Sequence, residues 1–320
     1  LVASPTAIAE QKPKLLYIAN MHGDEVVGRE LMIYLIRLFA EEYGVNKRIT
    51  QLLDQAQIFI MPTMNPDGFE NGRRYNANGR DLNRNFPDFT TDPDDTPAGR
   101  QPETQAVMAL HEQHHFVAAL NLHGGEVCVN MPWDTASNRR EIERFGDDPL
   151  MTQLARAYAD ANPTMVANDR GPFDRGVTYG YEWYEVDGGL QDWANHYRNS
   201  FHATLELSYS KWPPARQLPA LWQENREPLL AYLESALHGF HLQIVDASGE
   251  PVHGATMTHS DSRRAITYPS DRIHRAANPG TWQVTLSKDG YDTYTGTLNT
   301  ADLVAGIQTI TLQKAGSTPQ

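Results

Sequence analysis

The chain has 320 residues, of which 40% are hydrophobic and 21% are charged, and its formal net charge is −13 at pH 7. This composition is typical of a globular protein, and the length suits one large domain followed by a smaller one. The acidic balance, without a Lys/Arg-rich block, argues against nucleic acid or an anionic membrane as the main partner. The single cysteine, Cys128, excludes an intrachain disulfide.

No apolar run approaches the length of a membrane span, so no transmembrane segment is predicted. The opening stretch "LVASPTAIAE" lacks the basic start and the apolar core of a signal peptide. The chain also lacks an initiator Met, which indicates processing or truncation. We expect a secreted or periplasmic protein that is a monomer.

Apolar strand-like runs alternate with helical patterns along the first three quarters of the chain. The predicted strands are "KLLYIAN" (Lys14–Asn20), "QIFIMPTMN" (Gln57–Asn65), "FVAALNLH" (Phe116–His123) and "FHATLEL" (Phe201–Leu207). The predicted helices are "RELMIYLIRLFAEEYG", "ETQAVMALHEQHH", "PLMTQLARAYADAN" and "LPALWQENREPLLAYLESALHG", the last closing at Gly239. "NPDG" predicts a turn. Residues 1–238 are therefore predicted to form an α/β domain whose mixed, largely parallel sheet is covered by helices on both faces.

The pattern changes at residue 239. Short β-prone runs separated by turn residues follow, such as "GTWQVTL" and "IQTITL". Trp282, Val284 and Leu286 alternate with polar neighbours, as expected for a half-exposed strand. We predict a small β-sandwich over residues 239–320.

A candidate metal site begins in the stretch "YIANMHGDEVVGRE". His22 and Glu25 lie in the loop after the first predicted strand, and His123 ends another strand. The carboxyl ends of parallel strands share one edge of a sheet, so these side chains can converge there. Two His and one Glu are a ligand set of catalytic zinc, which keeps its fourth position for water.

A rival zinc motif is "HEQHH" (His111–His115), which matches His-Glu-x-x-His. Its helix is expected to end at His115, because a buried strand begins at Phe116. The second ligand would then sit on a fraying helix end, and no third ligand follows at a recognisable spacing. We interpret this segment as a polar, solvated helix end, where His also suits the helix dipole.

The segment "NGRRYNANGRDLNRNFPD" concentrates arginines in a loop rich in Gly and Asn. A guanidinium group binds a carboxylate through two parallel hydrogen bonds, so the cluster suits an anionic ligand. The alternative is a solvated loop whose arginines pair with Asp81 and Asp88. The residues alone leave both interpretations open.

Five motifs in a fixed order resemble the zinc metallocarboxypeptidases. They are His22-x-x-Glu25, "GRDLNRNFPD", "NLHGG", "GYEWYEVDGGLQDW" and "TLELS", and they run between about residues 14 and 238. Within that family the chain is similar to the N/E-type regulatory subfamily, which includes carboxypeptidases N, E, M and D. The last 82 residues of the chain (239–320) resemble the transthyretin-like β-sandwich of that subfamily.

The resemblance implies one Zn²⁺ ion per chain, held by His22, Glu25 and His123 with water as the fourth ligand. Glu206, in "TLELS", would be the general base that takes a proton from that water and passes it to the leaving amine. Zinc lowers the pKa of bound water to about 7, which suits this chemistry near neutral pH.

The same resemblance assigns substrate contacts. Arg74 would polarise the scissile carbonyl and stabilise the oxyanion. Asn83 and Arg84 would hold the terminal carboxylate of the substrate, which restricts cleavage to the last peptide bond. Tyr184 would close over the bound residue. The expected partners are therefore peptide or protein C-termini.

Two further positions bear on side-chain specificity. Asp134, in "MPWD", and Gln191, in "GGLQDW", fall where the subfamily has polar groups that accept a basic side chain. An ionised carboxylate would favour Lys or Arg through a charge-assisted hydrogen bond. The alternative makes Asp134 an ordinary turn residue.

The chain departs from the subfamily pattern at three places. It opens almost at the first matched strand, so the sheet is expected to expose an edge. Ser200 replaces a common cysteine, and Tyr181–Glu182 are bulkier than the usual residues before the Trp-Tyr pair, which could reshape the lid around Tyr184. The expected activity is release of a C-terminal Lys or Arg. A deacylase of N-acyl amino acids and a non-catalytic zinc- or peptide-binding protein are the alternatives.

Overall fold

The structure of the protein is a computed structural model that describes residues 12–135, 147–262 and 264–316. The opening stretch "LVASPTAIAE" lies outside the described residues. Within the described ranges, no helix combines the length and the apolar character needed to cross a membrane.

A six-stranded mixed sheet forms the centre of the first part of the chain. Its strands are β1 (Lys14–Ala19), β2 (Gln57–Met61), β3 (Phe116–His123), β4 (Val127–Met131), β5 (Val177–Tyr179) and β6 (Phe201–Leu207). Their order is β2-β1-β3-β6-β4-β5, and every neighbouring pair is parallel except β6 and β4. The predicted mixed, largely parallel sheet is confirmed, and β2 is an edge strand of the described sheet.

Helices cover both faces of this sheet. They are α1 (Val27–Glu42), α2 (Lys47–Gln55), α3 (Pro66–Glu70), α4 (Pro102–Gln113), α5 (Asp148–Ala159), α6 (Pro163–Val166), α7 (Gly180–Trp183), α8 (Leu190–Arg198) and α9 (Leu218–Ser235). Alternate residues of β1 divide between two hydrophobic clusters: Tyr17 packs with residues of α1, α5 and α9, and Ile18 with residues of α4 and α8. Because both faces are buried, β1, β3 and β6 are apolar along nearly their whole length.

Two local predictions need correction, and one helix was missed. "NPDG" is the start of α3 rather than a turn, because the Asn65 side chain accepts a hydrogen bond from Gly68 N at 2.8 Å and Pro66 suits the first helical position. The last long helix ends at Ser235, and Gly239 lies inside a strand with φ +156°. Helix α2 was not predicted, although Asn46 caps its first turn.

The "HEQHH" segment does not form a metal site on one helix. Helix α4 ends at Gln113, so His115 lies beyond it. His111 is 4% exposed, and its ring packs against Trp193 and Phe116 with centroid distances of 5.2 and 5.0 Å. The prediction of a solvated helix end is therefore wrong for His111, because α8 and β3 bury it.

The last part of the chain forms two four-stranded sheets around one hydrophobic cluster. Its strands are β7 (His238–Asp246), β8 (Ala255–His259), β9 (Ile266–Tyr268), β10 (Arg272–Ala276), β11 (Thr281–Ser287), β12 (Tyr294–Asn299), β13 (Ala301–Asp302) and β14 (Gln308–Leu312). Val284 and Leu286 of β11 are buried in that cluster, as their alternation predicts. Strand β7 begins at His238, beside the predicted division; that division and the transthyretin-like classification stay predictions.

Candidate metal centre and substrate cavity

The loop after β1 is held by a side chain that sequence reasoning missed. Asn20 has φ +56°, and its buried amide nitrogen donates to the carbonyl oxygens of His22, Gly23 and Glu25 at 3.0, 3.2 and 3.2 Å. A Cβ on Gly23 would lie 2.0 Å from the carbonyl carbon of Gly68, so this close approach requires glycine. The loop is thereby fixed against the start of α3.

The three predicted metal ligands converge at the carboxyl ends of β1 and β3. Glu25 Oε2 lies 3.0 Å from His22 Nδ1 and 2.9 Å from His123 Nδ1, and the two ring nitrogens lie 3.0 Å apart. Each of these residues is about 3% exposed. Burial opposes ionisation of Glu25, yet the charge of His22 and the hydrogen bonds from both histidines lower the pKa of its carboxyl well below the usual range.

Asp81 holds the ring of His22, the first predicted metal ligand, on the side away from the cluster. Its Oδ1 lies 3.0 Å from His22 Nε2 and accepts a hydrogen bond from this ring nitrogen, which faces away from the cluster; with a metal bound, Nδ1 would be the ligand atom. Burial opposes ionisation of Asp81, but its hydrogen bond with His22 and the charge of Arg74 lower its pKa. Sequence reasoning treated Asp81 only as a possible partner for the arginines.

Glu206 faces the metal cluster from the next strand. It lies directly opposite His123 in the parallel pairing of β3 and β6. The residue is 7% exposed, and its Oε2 has no hydrogen-bond partner in the described part of the chain. Burial, with the charge of Glu25, raises the pKa of its carboxyl well above the usual range. A buried carboxyl with a free oxygen beside a metal site is suited to proton transfer.

These groups line one cavity of about 170 Å³. Its walls are formed by His22, Glu25, Arg74, Asn83, His123, Gly124, Gly125, Asn130, Asp134, Trp183, Tyr184, Val186, Thr204, Glu206 and Lys211. The structure thus brings eight of the ten predicted site residues to one cavity. Arg84 and Gln191 are the two that do not line it.

The arginine-rich loop divides its charges between two roles. Arg74 pairs with Asp81 through Nε at 2.9 Å and reaches Glu25 through Nη1 at 3.5 Å. Arg84 is exposed and forms no ion pair with a carboxylate in the described ranges, and its Nη1 donates to the carbonyl oxygen of Asn83 at 2.9 Å. The alternative of arginines paired within the loop holds for Arg74 and Asp81, and leaves Arg84 available to an anionic ligand.

Asn83 is fixed with its amide group toward the cavity. Its Oδ1 accepts a hydrogen bond from Leu190 N at 3.0 Å, and the side chain is 8% exposed. The amide nitrogen is therefore left to donate to a ligand in the cavity. Together with Arg84, it offers donors suited to a carboxylate.

Asp134 and Tyr184 lie on another wall of the cavity. Asp134 is 2% exposed, accepts from Asn130 Nδ2 at 2.8 Å, and burial raises the pKa of its carboxyl to about 6. Tyr184 is 47% exposed, and burial of the hydroxyl together with the charge of Glu206 raises its pKa to about 12. Tyr184 thus stays a neutral hydrogen-bond donor at physiological pH.

Gln191 lies behind the cavity. Its Oε1 accepts from the backbone nitrogen of Thr204, a cavity-lining residue, at 2.7 Å. The neighbouring Asp192 accepts from the backbone nitrogens of Asp134 and Thr135, each at 2.9 Å. The first turn of α8 therefore supports the wall that contains Asp134.

Comparison with known proteins identifies the family. The profile of the family described as "Zinc carboxypeptidase" matches residues 2–228. The chain belongs to the zinc carboxypeptidase family. It is 38% identical to carboxypeptidase D of Anas platyrhynchos, over 93% of this chain and 22% of that protein. It is 35% identical to carboxypeptidase M of Mus musculus, over 88% of this chain and 68% of that protein.

Length and fold complete the comparison. The chain spans about a fifth of the length of the carboxypeptidase D relatives, including the human protein at 22%. It also aligns with the structure of thrombin-activatable fibrinolysis inhibitor, with a TM-score of 0.57 and 20% identity over 72% of this chain and 63% of that chain. The bovine inhibitor in complex with tick carboxypeptidase inhibitor gives 0.58 and 19%, over 70% and 82%. At these identities the likeness concerns the fold.

The donor set of this member of the zinc carboxypeptidase family fits zinc. His22, Glu25 and His123 form a cluster whose ligand atoms all lie within 4.8 Å of one another. Two imidazoles and a carboxylate are a ligand set of catalytic zinc. The Asp81 carboxylate behind His22 meets, for that residue, the further requirement that a ligand be oriented by a hydrogen bond.

Proposed function

We propose that the protein is an exopeptidase that hydrolyses the C-terminal peptide bond of peptides or proteins, and that it prefers a terminal Lys or Arg. The observation that carries this proposal is the shared cavity: the three candidate metal ligands, the carboxyl of Glu206, whose Oε2 has no partner among the described residues, and the amide of Asn83 line the same space. Bound zinc would lower the pKa of a water molecule and polarise a carbonyl group.

Glu206 is the proposed general base. A water molecule attacks the scissile carbonyl carbon, and Glu206 takes the proton that this water loses. The same carboxyl then delivers the proton to the nitrogen of the leaving amine as the C–N bond breaks. The free Oε2 of Glu206, beside His123, supports this role. Positioned proton transfer contributes roughly 10²–10⁴-fold to rates.

Arg74 is the proposed oxyanion donor. Its guanidinium lies at the cavity wall next to the metal ligands, held by Asp81 at 2.9 Å. Negative charge develops on the carbonyl oxygen during attack, and a fixed cation there stabilises it more than the ground state. Removal of one such donor costs about 3–4 kcal/mol in related sites of other hydrolases.

Asn83 and Arg84 are proposed to bind the free carboxylate of the last residue. A terminal carboxylate would accept from the Asn83 amide and from the unpaired Arg84 guanidinium. This contact would place the last peptide bond over the metal cluster. Tyr184, half exposed at the cavity mouth, is proposed to close over the bound residue and to donate a hydrogen bond.

Asp134 is the proposed specificity residue. The carboxyl is buried in the cavity wall and accepts a hydrogen bond from Asn130 Nδ2, while the backbone nitrogen of Asp134 donates to Asp192 in the first turn of α8. A Lys or Arg side chain would supply the positive charge that this buried carboxyl lacks, which favours basic residues over apolar ones. Gln191 is proposed to act on the same wall through Thr204.

A dipeptide assay tests this proposal. Hydrolysis of matched blocked dipeptides ending in Arg, Lys, Phe and Ala is measured with and without a zinc chelator. Chelator-sensitive release of Arg and Lys alone is expected. Release of Phe instead would overturn the role of Asp134. Cleavage of N-acyl amino acids but not of dipeptides would favour a deacylase, and zinc binding without any turnover would favour a binding protein.

Location outside the cytoplasm and a monomeric state stay predictions, which fractionation and ultracentrifugation would test.

A further inference from the structure

A stacked aromatic pair lies on the surface beside the cavity. Trp212 is 51% exposed, and its ring stacks on Phe69 with a centroid distance of 5.5 Å and an interplanar angle of 6°. The Arg29 guanidinium carbon lies 4.3 Å from the centroid of the Phe69 ring. Exposed apolar surface of this kind often marks a contact with a ligand or a partner.

The backbone beside each of the two aromatic residues contacts the loop that contains His22 and Glu25. Trp212 follows Lys211, which lines the cavity and whose carbonyl oxygen accepts from Val26 N at 3.0 Å. On the other side, a Cβ on Gly23 would lie only 2.3 Å from Phe69 N, so the backbones of the metal loop and of α3 are in direct contact. The pair is therefore held at a fixed place relative to the proposed catalytic groups.

Two charged side chains beside the pair, those of Lys211 and Arg29, are already engaged. Lys211 Nζ pairs with Glu25 Oε1 at 3.0 Å, and Arg29 Nη1 pairs with Glu30. The exposed face of Trp212 is therefore the surface that is open to a new contact. An indole face binds aromatic and large apolar side chains by stacking and by burial of apolar area.

We propose that Phe69 and Trp212 form a platform that binds an aromatic or large apolar side chain of the substrate, among the residues that precede the scissile bond. This inference rests on the proposed exopeptidase function, because a substrate whose last residue fills the cavity must continue out of it. An extended peptide advances about 3.3 Å per residue, and adjacent Cα atoms lie 3.8 Å apart, so a platform that begins one residue after Lys211 is within reach of the next few substrate residues. Selectivity would then extend beyond the terminal residue.

The platform can be tested with acetylated tetrapeptides. All of them end in the residue that is released fastest from dipeptides. One peptide has Ala at the other three positions, and three more carry Phe at one of them. For the wild-type protein we expect one Phe peptide to exceed the Ala peptide in kcat/KM by about tenfold, the upper range for an aromatic contact. Trp212→Ala should reduce that ratio to near one, and Trp212→Phe should retain most of it. Blocked dipeptides should be hydrolysed equally by all three proteins.

Two results would overturn the platform. One is a wild-type ratio near one at every position; the other is an equal loss on dipeptides and tetrapeptides in Trp212→Ala, which would indicate a structural role. Circular dichroism melting of each variant identifies a folding defect. If no dipeptide is cleaved, the proposed function has failed rather than the platform. Calorimetric Kd values of the same tetrapeptides for the zinc-loaded wild type and Trp212→Ala then decide whether Trp212 binds the Phe side chain.

Discussion

Asp81 joins the proposed metal ligand His22 to the neighbouring Arg74: its Oδ1 lies 3.0 Å from His22 Nε2, and its Oδ2 lies 2.9 Å from Arg74 Nε. One carboxylate thus sets the orientation of a metal ligand and of the proposed oxyanion donor. A change at this position should therefore affect metal binding and turnover together.

Asp81→Ala is expected to weaken zinc binding by about 10–100-fold, because His22 loses the carboxylate that fixes its tautomer and ring orientation. The value of kcat/KM at saturating zinc should also fall, since Arg74 loses its partner. Competition with a chromophoric chelator measures the first effect. Asp67→Asn, at an exposed position of α3, is the charge control. Unchanged zinc affinity in Asp81→Ala would contradict the proposed role.

Glu206→Gln should keep zinc and lose turnover. The amide is nearly isosteric but cannot accept and return a proton, so kcat should fall by about 10²–10⁴-fold while the Kd of a substrate changes little. Glu41→Gln is a matched control, because Glu41 is exposed and pairs with Arg37 on the surface of α1. Substantial turnover by Glu206→Gln would exclude this residue as the general base.

Preference for a basic residue should depend on pH through Asp134. Burial raises the pKa of this carboxyl to about 6, so it is mostly protonated below that pH and ionised above it. The ratio of kcat/KM for Arg-ending over Phe-ending dipeptides should rise as pH increases from 5 to 7, because only the ionised form attracts the guanidinium. Taking a ratio removes ionisations common to both substrates. In Asp134→Asn the ratio should be low and flat with pH; a rise like that of the wild type would assign the titration to another group.

Acid stability should depend on the buried His259 of the β-sandwich. Burial, with the charge of Arg275, lowers its pKa to about 3, and neither ring nitrogen has a partner in the described residues. The unfolded chain binds a proton at this site below about pH 6.5 and the folded chain does not, so this contribution is complete above pH 6.5 and is lost as the pH falls toward 3. The loss is at most ~1.4 kcal/mol of unfolding free energy per pH unit.

His259→Phe should remove this part of the pH dependence, because an apolar ring of similar size cannot take up a proton on unfolding. Urea unfolding at pH 7, 6, 5 and 4 measures the effect. The exposed His253→Phe serves as the control for loss of a histidine. Parallel pH profiles for wild type and His259→Phe would show that His259 does not cause the acid sensitivity.

The sequence predicts best what is encoded in continuous patterns. Strands β1, β3 and β6 are buried on both faces, so each appears in the sequence as a continuous apolar run. Each run ends close to a candidate site residue: His22, His123 or Glu206. Strands β4 and β5 were not predicted, and β5 has three residues, too few for a periodic signal to be distinguished. Helix α2 was missed because only Ile49, Leu52 and Leu53 are buried in it.

The supporting residues of the site could not be predicted in the same way. Asn20 holds three carbonyl groups that follow it, and Asp81 reaches a histidine 59 positions away. These roles depend on contacts between segments that the fold brings together. Asp81 lies in the motif "GRDLNRNFPD", which supports the family resemblance. The motif does not indicate whether the carboxylate pairs with an arginine or with a histidine.

Zinc-dependent removal of a C-terminal residue is tested most directly with one peptide in two forms, ending in Arg as the free acid or as the amide. Mass spectrometry of the zinc-loaded protein with each form, with and without chelator, measures release of the last residue. We predict loss of Arg from the free acid alone, abolished by the chelator and restored by zinc. Equal cleavage of the amide would contradict the proposed carboxylate contacts of Asn83 and Arg84, and release that survives zinc removal would contradict the metal-dependent mechanism.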